Sequence, residues 1–200
     1  MFVWLMICLM TAGLATSAEA ITHIQDNEQV AKVLDEDYIF VSVRGDFFTE
    51  KEELYTTLQA EYFLEELYKK YLDKLDAGED PRILIKAGTH EIEEEPVVYD
   101  YRNSKGETSR ITDVHRQWVD NDTFEFVLFV EGKRFFGPFM TLVHVQIHEL
   151  EEGHFQFDAD VYAYPVYSFY RFFMKNLNLI ESYFEDHTDE FVIQARKFLQ

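Results

Sequence analysis

The 200-residue chain carries 38 acidic and 18 basic side chains, which gives a formal net charge of −20 at pH 7. Such an excess of negative charge is repelled by nucleic acid and by anionic membrane surfaces, so we expect neither as a partner. The length suits a single domain, and its 19 Phe, 12 Tyr and 2 Trp supply apolar side chains for a packed core.

The first twenty residues have the pattern of a secretory signal peptide. The apolar run Phe2–Leu14 is too short to span a bilayer comfortably, and small residues follow it up to Ala18-Glu19-Ala20, which is typical of a cleavage site. We therefore predict cleavage near Ala20 and a secreted or periplasmic mature protein. Because no Lys or Arg precedes the apolar run, an uncleaved N-terminal anchor is the alternative.

Cleavage at this point would remove Cys8, the single cysteine of the chain. The mature protein would then contain no thiol, so we expect neither an internal disulfide nor a disulfide-linked partner. Its stability must come from a packed core. The sequence contains no cofactor-binding motif, and we predict no cofactor.

An N-terminal extension, residues 21–37, precedes the first predicted strand. Val30, Val33 and Leu34 favour a short helix or loop within it, with no evident role. The run Tyr38–Val43 that follows is β-branched and aromatic, which is typical of a central strand buried on both faces.

A helical pattern occupies residues 49–77. Thr49 and Glu52 have the spacing of a capping box, and apolar residues recur at helical spacing as far as Leu75. Gly78 and Pro81 end the pattern. The sequence therefore predicts one unbroken helix here.

Strand-like runs separated by turns follow from Arg82 onwards. Phe124, Phe126, Leu128 and Val130 recur at strict period-two spacing, which predicts a hairpin with the preceding run across the turn Asp120–Asp122. The predicted strands cover residues 82–87, 97–101, 110–119, 124–130, 139–148 and 154–164.

The last two strands suggest a specific register. If His148 faces His154, one face of the hairpin is apolar and the other polar. The apolar pairs would be Ile147 with Phe155, Val145 with Phe157 and Val143 with Ala159, and the polar pairs Gln146 with Gln156 and His144 with Asp158.

The polar face of this hairpin raises the question of a metal site. It would collect imidazole and carboxylate groups of the kinds that bind zinc or copper. The spacing matches no established metal motif, so we interpret this face as a solvated outer surface and predict no metal. The candidate ligands, were a metal bound, are His144, His148, His154 and Asp158.

The C-terminal segment, Pro165–Gln200, has the pattern of a long amphipathic helix. Pro165 suits the first turn, where its missing N–H is not needed. An unbroken helix would reach roughly 50 Å at about 1.5 Å per residue, although a new N-cap within residues 186–189 would interrupt it.

This order of elements resembles that of the START-like helix-grip superfamily, which includes plant pollen allergens, lipid-transfer START domains and polyketide cyclases. The matching segments are 38–48, 49–77, 82–164 and 165–200. The resemblance implies a single α+β domain over residues 38–200, with a curved antiparallel sheet of about seven strands, a helical insertion after the first strand and a long C-terminal helix across the sheet. The insertion departs from the family because it lacks the expected break between two short helices.

The resemblance also implies a cavity between sheet and C-terminal helix for an apolar or amphipathic small molecule, such as a lipid or an aromatic metabolite. Our first hypothesis is therefore a protein that binds or carries such a ligand. The alternative for the side chains that would line the cavity is an ordinary core. They are Trp118, Phe126, Phe157, Phe169, Phe173 and Leu177.

Two other hypotheses belong to different functional classes. An exported cyclase or hydrolase would use a buried base, for which Asp113 with His115 on the same strand face, or His144 with Asp158, are the candidates. Neither pair forms a recognisable catalytic motif, so we assign no catalytic residue. A non-catalytic module would instead bind a protein partner through its acidic surface.

Overall fold

The computed structural model describes residues 21, 24, 26–35, 38–75, 83–87, 96–103, 106–134, 137–169, 171–172 and 188–200. The predicted signal peptide lies outside these residues. No helix in the described part is long and apolar enough to cross a membrane.

Seven strands form one antiparallel sheet. Along the chain, the order is a short helix, one strand, two helices, six strands and a final helix. In space, the strands follow the order β1-β7-β6-β5-β4-β3-β2, so the first strand lies beside the last. The elements are α1 (Glu28–Leu34), β1 (Ile39–Phe48), α2 (Lys51–Gln59), α3 (Phe63–Asp73), β2 (Ile83–Ala87), β3 (Val98–Asn103), β4 (Thr108–Trp118), β5 (Thr123–Arg134), β6 (Gly137–Glu151), β7 (His154–Pro165) and α4 (Thr188–Leu199).

This arrangement confirms the predicted fold class, α+β with a curved seven-stranded antiparallel sheet. The helical insertion follows β1, and α4 packs against the inner, concave face of the sheet through Ala195, Phe198 and Leu199. The ring of Phe198 stacks on that of Tyr71 in α3, with 4.4 Å between centroids. The chain therefore has the strand, helical insertion, sheet and C-terminal helix of a helix-grip arrangement.

The helical insertion differs from its prediction. It consists of two helices, α2 and α3, separated at residues 60–62, so the prediction of one unbroken helix is wrong. The capping box is also wrong: Glu50 occupies the N-cap without a side-chain hydrogen bond, and the Thr49 hydroxyl donates instead to the carbonyl oxygen of Gln200. The break removes the departure from the helix-grip pattern.

The hairpin of β6 and β7 has the predicted faces in a different register. His148 pairs with Gln156 and His144 with Asp160, two residues away from the prediction. The strands continue to a tight turn at Glu152-Gly153, where Gly153 has φ +73°, and a bulge at Glu149–Glu151 absorbs the odd residue. Because side chains alternate with a period of two, a slip of two residues exchanges partners and keeps every side chain on its face.

The C-terminal segment does not begin as predicted. Pro165 pairs with Phe139 as the last residue of β7 and is not the first residue of a helix. The final turns are helical over Thr188–Leu199. Residues 173–187 lie outside the described residues, so a continuous 50 Å helix stays a prediction.

A second apolar cluster covers the outer, convex face of the sheet. Val30 and Val33 of α1 are fully buried against side chains of β5, β6 and β7, and Ile21 joins them. The N-terminal extension thus packs on the sheet. The sheet-borne members of this cluster are Val127, Phe129, Leu142, Tyr162 and Tyr164.

Candidate functional site

A β-bulge divides strand β4 into two halves. Asp113 lies opposite Leu128 and His115 lies opposite Val127, so Val114 is an extra residue with no partner across the strand pair. Residues directly opposite one another in an antiparallel pair point to the same face. Leu128 belongs to the concave core and Val127 to the convex cluster.

The bulge therefore sends Asp113 and His115 to opposite faces. Their predicted position on one face is wrong, because that prediction assumed an uninterrupted alternation. Asp113, Arg116 and Trp118 face the concave side, whereas His115 faces the convex side, where its Nε2 lies 3.6 Å from a Glu125 oxygen. Asp113 and His115 are therefore no longer a candidate catalytic pair.

Arg116 joins the bulged strand to the helical insertion. Its Nη1 donates to the carbonyl oxygens of Leu58 (3.1 Å) and Ala60 (2.6 Å), and its Nη2 to that of Glu61 (3.4 Å). Leu58 lies in the last turn of α2 and Ala60 is its C-cap, so the guanidinium binds carbonyl oxygens at the end of the helix, where intrahelical donors run out. It also lies over the Phe63 ring, 4.7 Å from the centroid.

Asp113 is the acidic partner of Arg116. Arg116 Nε lies 2.6 Å from Asp113 Oδ2, and the residue is only 8% exposed. Burial raises the pKa of Asp113 to about 6, and the neighbouring Arg116 charge opposes part of that rise. The second oxygen, Oδ1, is buried, and no described residue donates a hydrogen bond to it.

An open cleft of about 540 Å³ lies between the end of α2 and the second half of β4. Its apolar wall includes Leu58, Val97, Trp118 and Phe124, and Asp113 and Arg116 contribute its charged groups. Trp118 is held edge-on by Tyr55 and by Phe124, with ring centroids 4.2 and 5.1 Å apart. An apolar cleft of this size with a few polar groups and a perturbed carboxyl is typical of a small-molecule site.

The predicted cavity-lining residues lie in different environments. Trp118 lines the cleft, and Phe169 is 65% exposed. Phe126 packs against Phe63 at 5.2 Å between ring centroids, and Phe157 leaves so little room that a methyl group on Gly45 would lie 2.6 Å from its ring. The other two, Phe173 and Leu177, lie outside the described residues.

The three histidines of the β6–β7 hairpin do not share a carboxylate. His144 Nε2 lies 3.1 Å from Glu125, His148 Nε2 lies 3.5 Å from Asp158, and His154 Nε2 lies 3.2 Å from Asp46. Within the described ranges, no group of three or more His, Cys, Asp or Glu side chains is placed to hold a metal ion. The arrangement is one of separate imidazole–carboxylate contacts across neighbouring strands.

The interpretation of this face as solvated is wrong for His144, which is 2% exposed. His144 and Glu125 are buried together on the convex side, beside Asp160, whose pKa burial raises. The sequence does not reveal that Glu125 is buried, because a polar residue within a strand usually faces solvent. The signal that could have revealed the covered face is Val127 and Phe129, which place apolar residues on the same face as Glu125.

A second open cleft, of about 600 Å³, lies at the opposite end of β4 and β5. Lys32, Arg110 and Lys133 line it together with Asp100 and Glu131. The opposite charges and the exposed side chains give it the character of a hydrated surface groove. The cleft beside Asp113 is therefore the better candidate site.

No protein-family model matches the chain, and no curated protein is similar to it in sequence. Several solved structures share its general shape at very low identity.

A hypothetical protein from Helicobacter pylori is 7% identical, with a TM-score of 0.48 over 95% of this chain and 94% of that one. Norcoclaurine synthase from Thalictrum flavum, in a truncated form, is 11% identical, with a TM-score of 0.47 over 81% of this chain and 92% of that one. The same plant enzyme in complex with dopamine and hydroxybenzaldehyde is 9% identical, with a TM-score of 0.45 over 92% and 95% of the two chains. Similarities at this level imply nothing about activity, and the fold assignment depends on the strand order described above.

Proposed function

We propose that this protein is an exported, START-like binding protein for an apolar or amphipathic small molecule, with the cleft beside Trp118 as a binding site. The observation that carries the proposal is the composition of that cleft: an apolar wall of Leu58, Val97, Trp118 and Phe124 around one buried ion pair. Apolar surface drives binding, and a few fixed polar groups orient the ligand. We also propose, from the resemblance alone, a ligand cavity between the sheet and the C-terminal helix.

Export is proposed from the signal-like sequence of residues 1–20. Ile21, the first residue after the predicted cleavage point, is fully buried in the convex cluster. A mature chain that begins at this residue would keep all of that cluster. N-terminal sequencing of the protein from its native host tests the cleavage.

The binding proposal is tested on protein gently purified from that host. Native mass spectrometry should detect a bound apolar molecule, and the emptied protein should bind the neutral fluorescent probe N-phenyl-1-naphthylamine. Trp118→Ala should weaken binding of this probe about tenfold or more, since a large apolar contact is lost. Phe48→Ala, which removes an exposed ring 63% accessible to solvent, is the matched control and should leave the affinity unchanged.

Two results would contradict the proposal. Protein that carries no ligand and fails to bind the probe has no apolar site. Probe binding that is indifferent to Trp118→Ala would show that the cleft is not the site. Asp113 also suits acid–base catalysis, because its pKa lies near neutrality. Recovery of the natural ligand chemically unchanged after incubation would favour binding over that enzymatic alternative.

A further inference from the structure

Strand β1 forms one edge of the sheet. In the order of the described strands, β7 is its neighbour on one side and no strand follows it on the other. β1 is ten residues long, whereas the strand at the opposite edge, β2, has five residues and packs against α3. The register of β1 with β7 continues from Ile39 to Phe48 without a bulge. A long, regular edge exposes a row of backbone N–H and C=O groups with which a further strand can pair.

One contact of α4 shows which backbone groups of β1 point outward. Arg196 Nε donates to the carbonyl oxygen of Asp46 at 2.5 Å, so this carbonyl points away from β7. In an antiparallel ladder, the N–H and C=O of one residue point to the same side, and successive residues alternate. The backbone groups of Phe40, Ser42 and Arg44 therefore point to the outer edge as well. Among the described residues, no backbone group pairs with them.

The open part of this edge lacks the features that usually protect an edge strand, which are Pro, Lys and bulges. Residues 39–45 read Ile-Phe-Val-Ser-Val-Arg-Gly. Their one charged side chain, Arg44, forms an ion pair with Asp158 of the neighbouring strand β7. Beyond them, Arg196 occupies the outward carbonyl of Asp46. The open edge is therefore long enough to pair with one short extended segment.

The two faces of β1 differ in polarity. Val41 and Val43 belong to the concave core. Ser42 faces the convex side, where it lies directly opposite Asp160 of β7 and donates a hydrogen bond to the carboxylate. Directly opposite residues of a strand pair point to the same face, and the side chains of each strand alternate. A segment that pairs with β1 therefore suits apolar side chains beside the two valines and a polar side chain beside Ser42.

Asp160 determines which polar side chain fits beside Ser42. Its side chain keeps 16% of its surface exposed, His144 Nδ1 lies 4.0 Å from its carboxylate, and in the described part of the chain no Lys or Arg forms an ion pair with it. Ser42 is small, so a side chain of the added segment can pass over it. That segment and β7 would lie roughly 10 Å apart, a distance that an extended Lys side chain and the Asp160 side chain span together. The net charge of −20 also favours a basic segment.

We propose that the outer edge of β1 binds an extended segment of a partner protein in which basic and apolar side chains alternate. The segment joins the sheet as a further strand, with its backbone paired to Phe40, Ser42 and Arg44 and a basic side chain beside Ser42 that reaches Asp160. A second copy of this chain would bring a further charge of −20 and is therefore disfavoured. This surface is separate from the cleft beside Trp118, so the inference does not rest on the binding function proposed above.

The probe is a synthetic peptide with blocked ends, Val-Lys-Val-Lys-Val-Lys-Val, which reads the same in both directions. It is titrated into the full chain near neutral pH, and the amide resonance of Ser42 is followed by NMR. Two methylated forms carry the same charge. Backbone N-methylation at the Lys residues removes the N–H groups that face β1, whereas N-methylation at the two inner Val residues removes N–H groups that point away. We expect the first form to bind at least about tenfold more weakly and the second to bind nearly as the parent peptide does.

The charge of the segment is tested separately. The same peptide with Glu in place of Lys should not bind, because the chain is strongly acidic. Asp160→Asn should weaken binding of the Lys peptide about fivefold, since a charge-assisted contact is lost. Binding of a peptide with Thr in place of Lys should not respond to this substitution.

Ser42→Pro blocks the edge without removing a bond to β7, because the N–H of Ser42 points outward and Pro is tolerated at such edge positions. It should weaken binding of the Lys peptide about tenfold or more. Ser42→Thr, which keeps the N–H and the hydroxyl, is the matched control and should bind as the wild type does.

Hydrogen exchange of the wild-type protein keeps the inference testable if Ser42→Pro does not fold. Saturation with the Lys peptide should slow exchange at the amides of Phe40, Ser42 and Arg44 at least about tenfold, because these amides gain hydrogen bonds. The amides of Val41 and Val43 already face β7, so their exchange should change little.

Three results would overturn the inference. The first is failure of the Lys peptide to bind. The second is equal binding of the two methylated peptides without slower exchange at Ser42, which would mean that the peptide binds by its charge alone. The third is a dimer of the chain in which the Ser42 amide is already protected and which Ser42→Pro dissociates, because a second copy would then occupy the edge. None of these results alters the expected binding of N-phenyl-1-naphthylamine in the cleft.

Discussion

At the scale of single residues, Asp113 is a carboxyl group that folding removes from water almost completely. Its pKa is raised from 3.8 to about 6 by burial, against the attraction of Arg116. Desolvation therefore outweighs the ion pair, as it often does for buried pairs.

This pKa shift has a consequence for stability. Between pH 3.8 and about 6, the native state binds a proton at Asp113 that the unfolded state has released, so this group's contribution to stability falls as the pH rises through that window. The two-unit shift corresponds to roughly 2–3 kcal/mol. The pKa of Asp160 is raised in the same direction, so the wild-type protein alone does not isolate Asp113.

Asp113→Asn removes this titrating group, so a comparison of the wild type with the variant isolates the contribution of Asp113 to the pH dependence of stability. We expect the free energy of unfolding of the wild type, measured with urea relative to that of the variant, to rise by roughly 2–3 kcal/mol between pH 7 and pH 4. Asp160→Asn, the control, should leave the Asp113 part of this pH dependence in place. A wild-type minus variant difference that does not change with pH would mean that Asp113 titrates at its ordinary value.

At the scale of elements, the two helices of the insertion depend on a strand that lies more than fifty residues later in the chain. Arg116 accounts for the break at residues 60–62, because it binds the carbonyl oxygens that end α2. It is aimed there by the bulge at Asp113–His115, which places it on the concave face. Helix break, bulge and ion pair are therefore one structural unit.

Arg116→Met keeps much of the length of the side chain and removes its hydrogen bonds. We expect a loss of about 3–5 kcal/mol in the free energy of unfolding, since it leaves a buried carboxylate without its partner and removes the hydrogen bonds to the carbonyls of Leu58 and Ala60. Hydrogen exchange should accelerate most at the end of α2 and the start of α3. Lys69→Met on the exposed side of α3 is the control and should cost little. Equal exchange in both variants would show that the break needs no cap from β4.

The same unit explains which elements the sequence predicts and which it does not. The strands are recognisable because period-two spacing of apolar residues, such as Phe124, Phe126, Leu128 and Val130, is a local property. The break in the insertion is not, since the pattern from Leu54 to Leu75 continues through it and its cause is Arg116. The bulge at Val114 likewise has no local marker. Of the candidate site, the sequence offers Trp118 only as a lining residue of the cavity that the resemblance implies, whereas the roles of Asp113 and Arg116 depend on contacts between distant segments.

At the scale of the whole molecule, the sheet is buried on both faces. The concave face packs on α2, α3 and α4, and the convex face of β5, β6 and β7 packs on α1. The sequence predicted a solvated outer face for the β6–β7 hairpin, because one of its faces is polar. It did not account for Phe129, Leu142 and Tyr162, which are buried on the other face under the N-terminal extension.

The second core makes the N-terminal extension part of the folded structure, and this can be measured. Val33→Asp places a carboxylate at a fully buried position of α1, so we expect it to cost roughly 3–5 kcal/mol of unfolding free energy. Lys32→Asp introduces the same side chain at the exposed neighbouring position and should cost no more than about 1 kcal/mol. Urea denaturation of both variants, followed by Trp118 fluorescence, gives the comparison. Similar urea midpoints would mean that α1 contributes little to the stability of the fold. A lower midpoint for Val33→Asp alone would show that the two cores unfold together, because the fluorescent reporter Trp118 lies on the concave side.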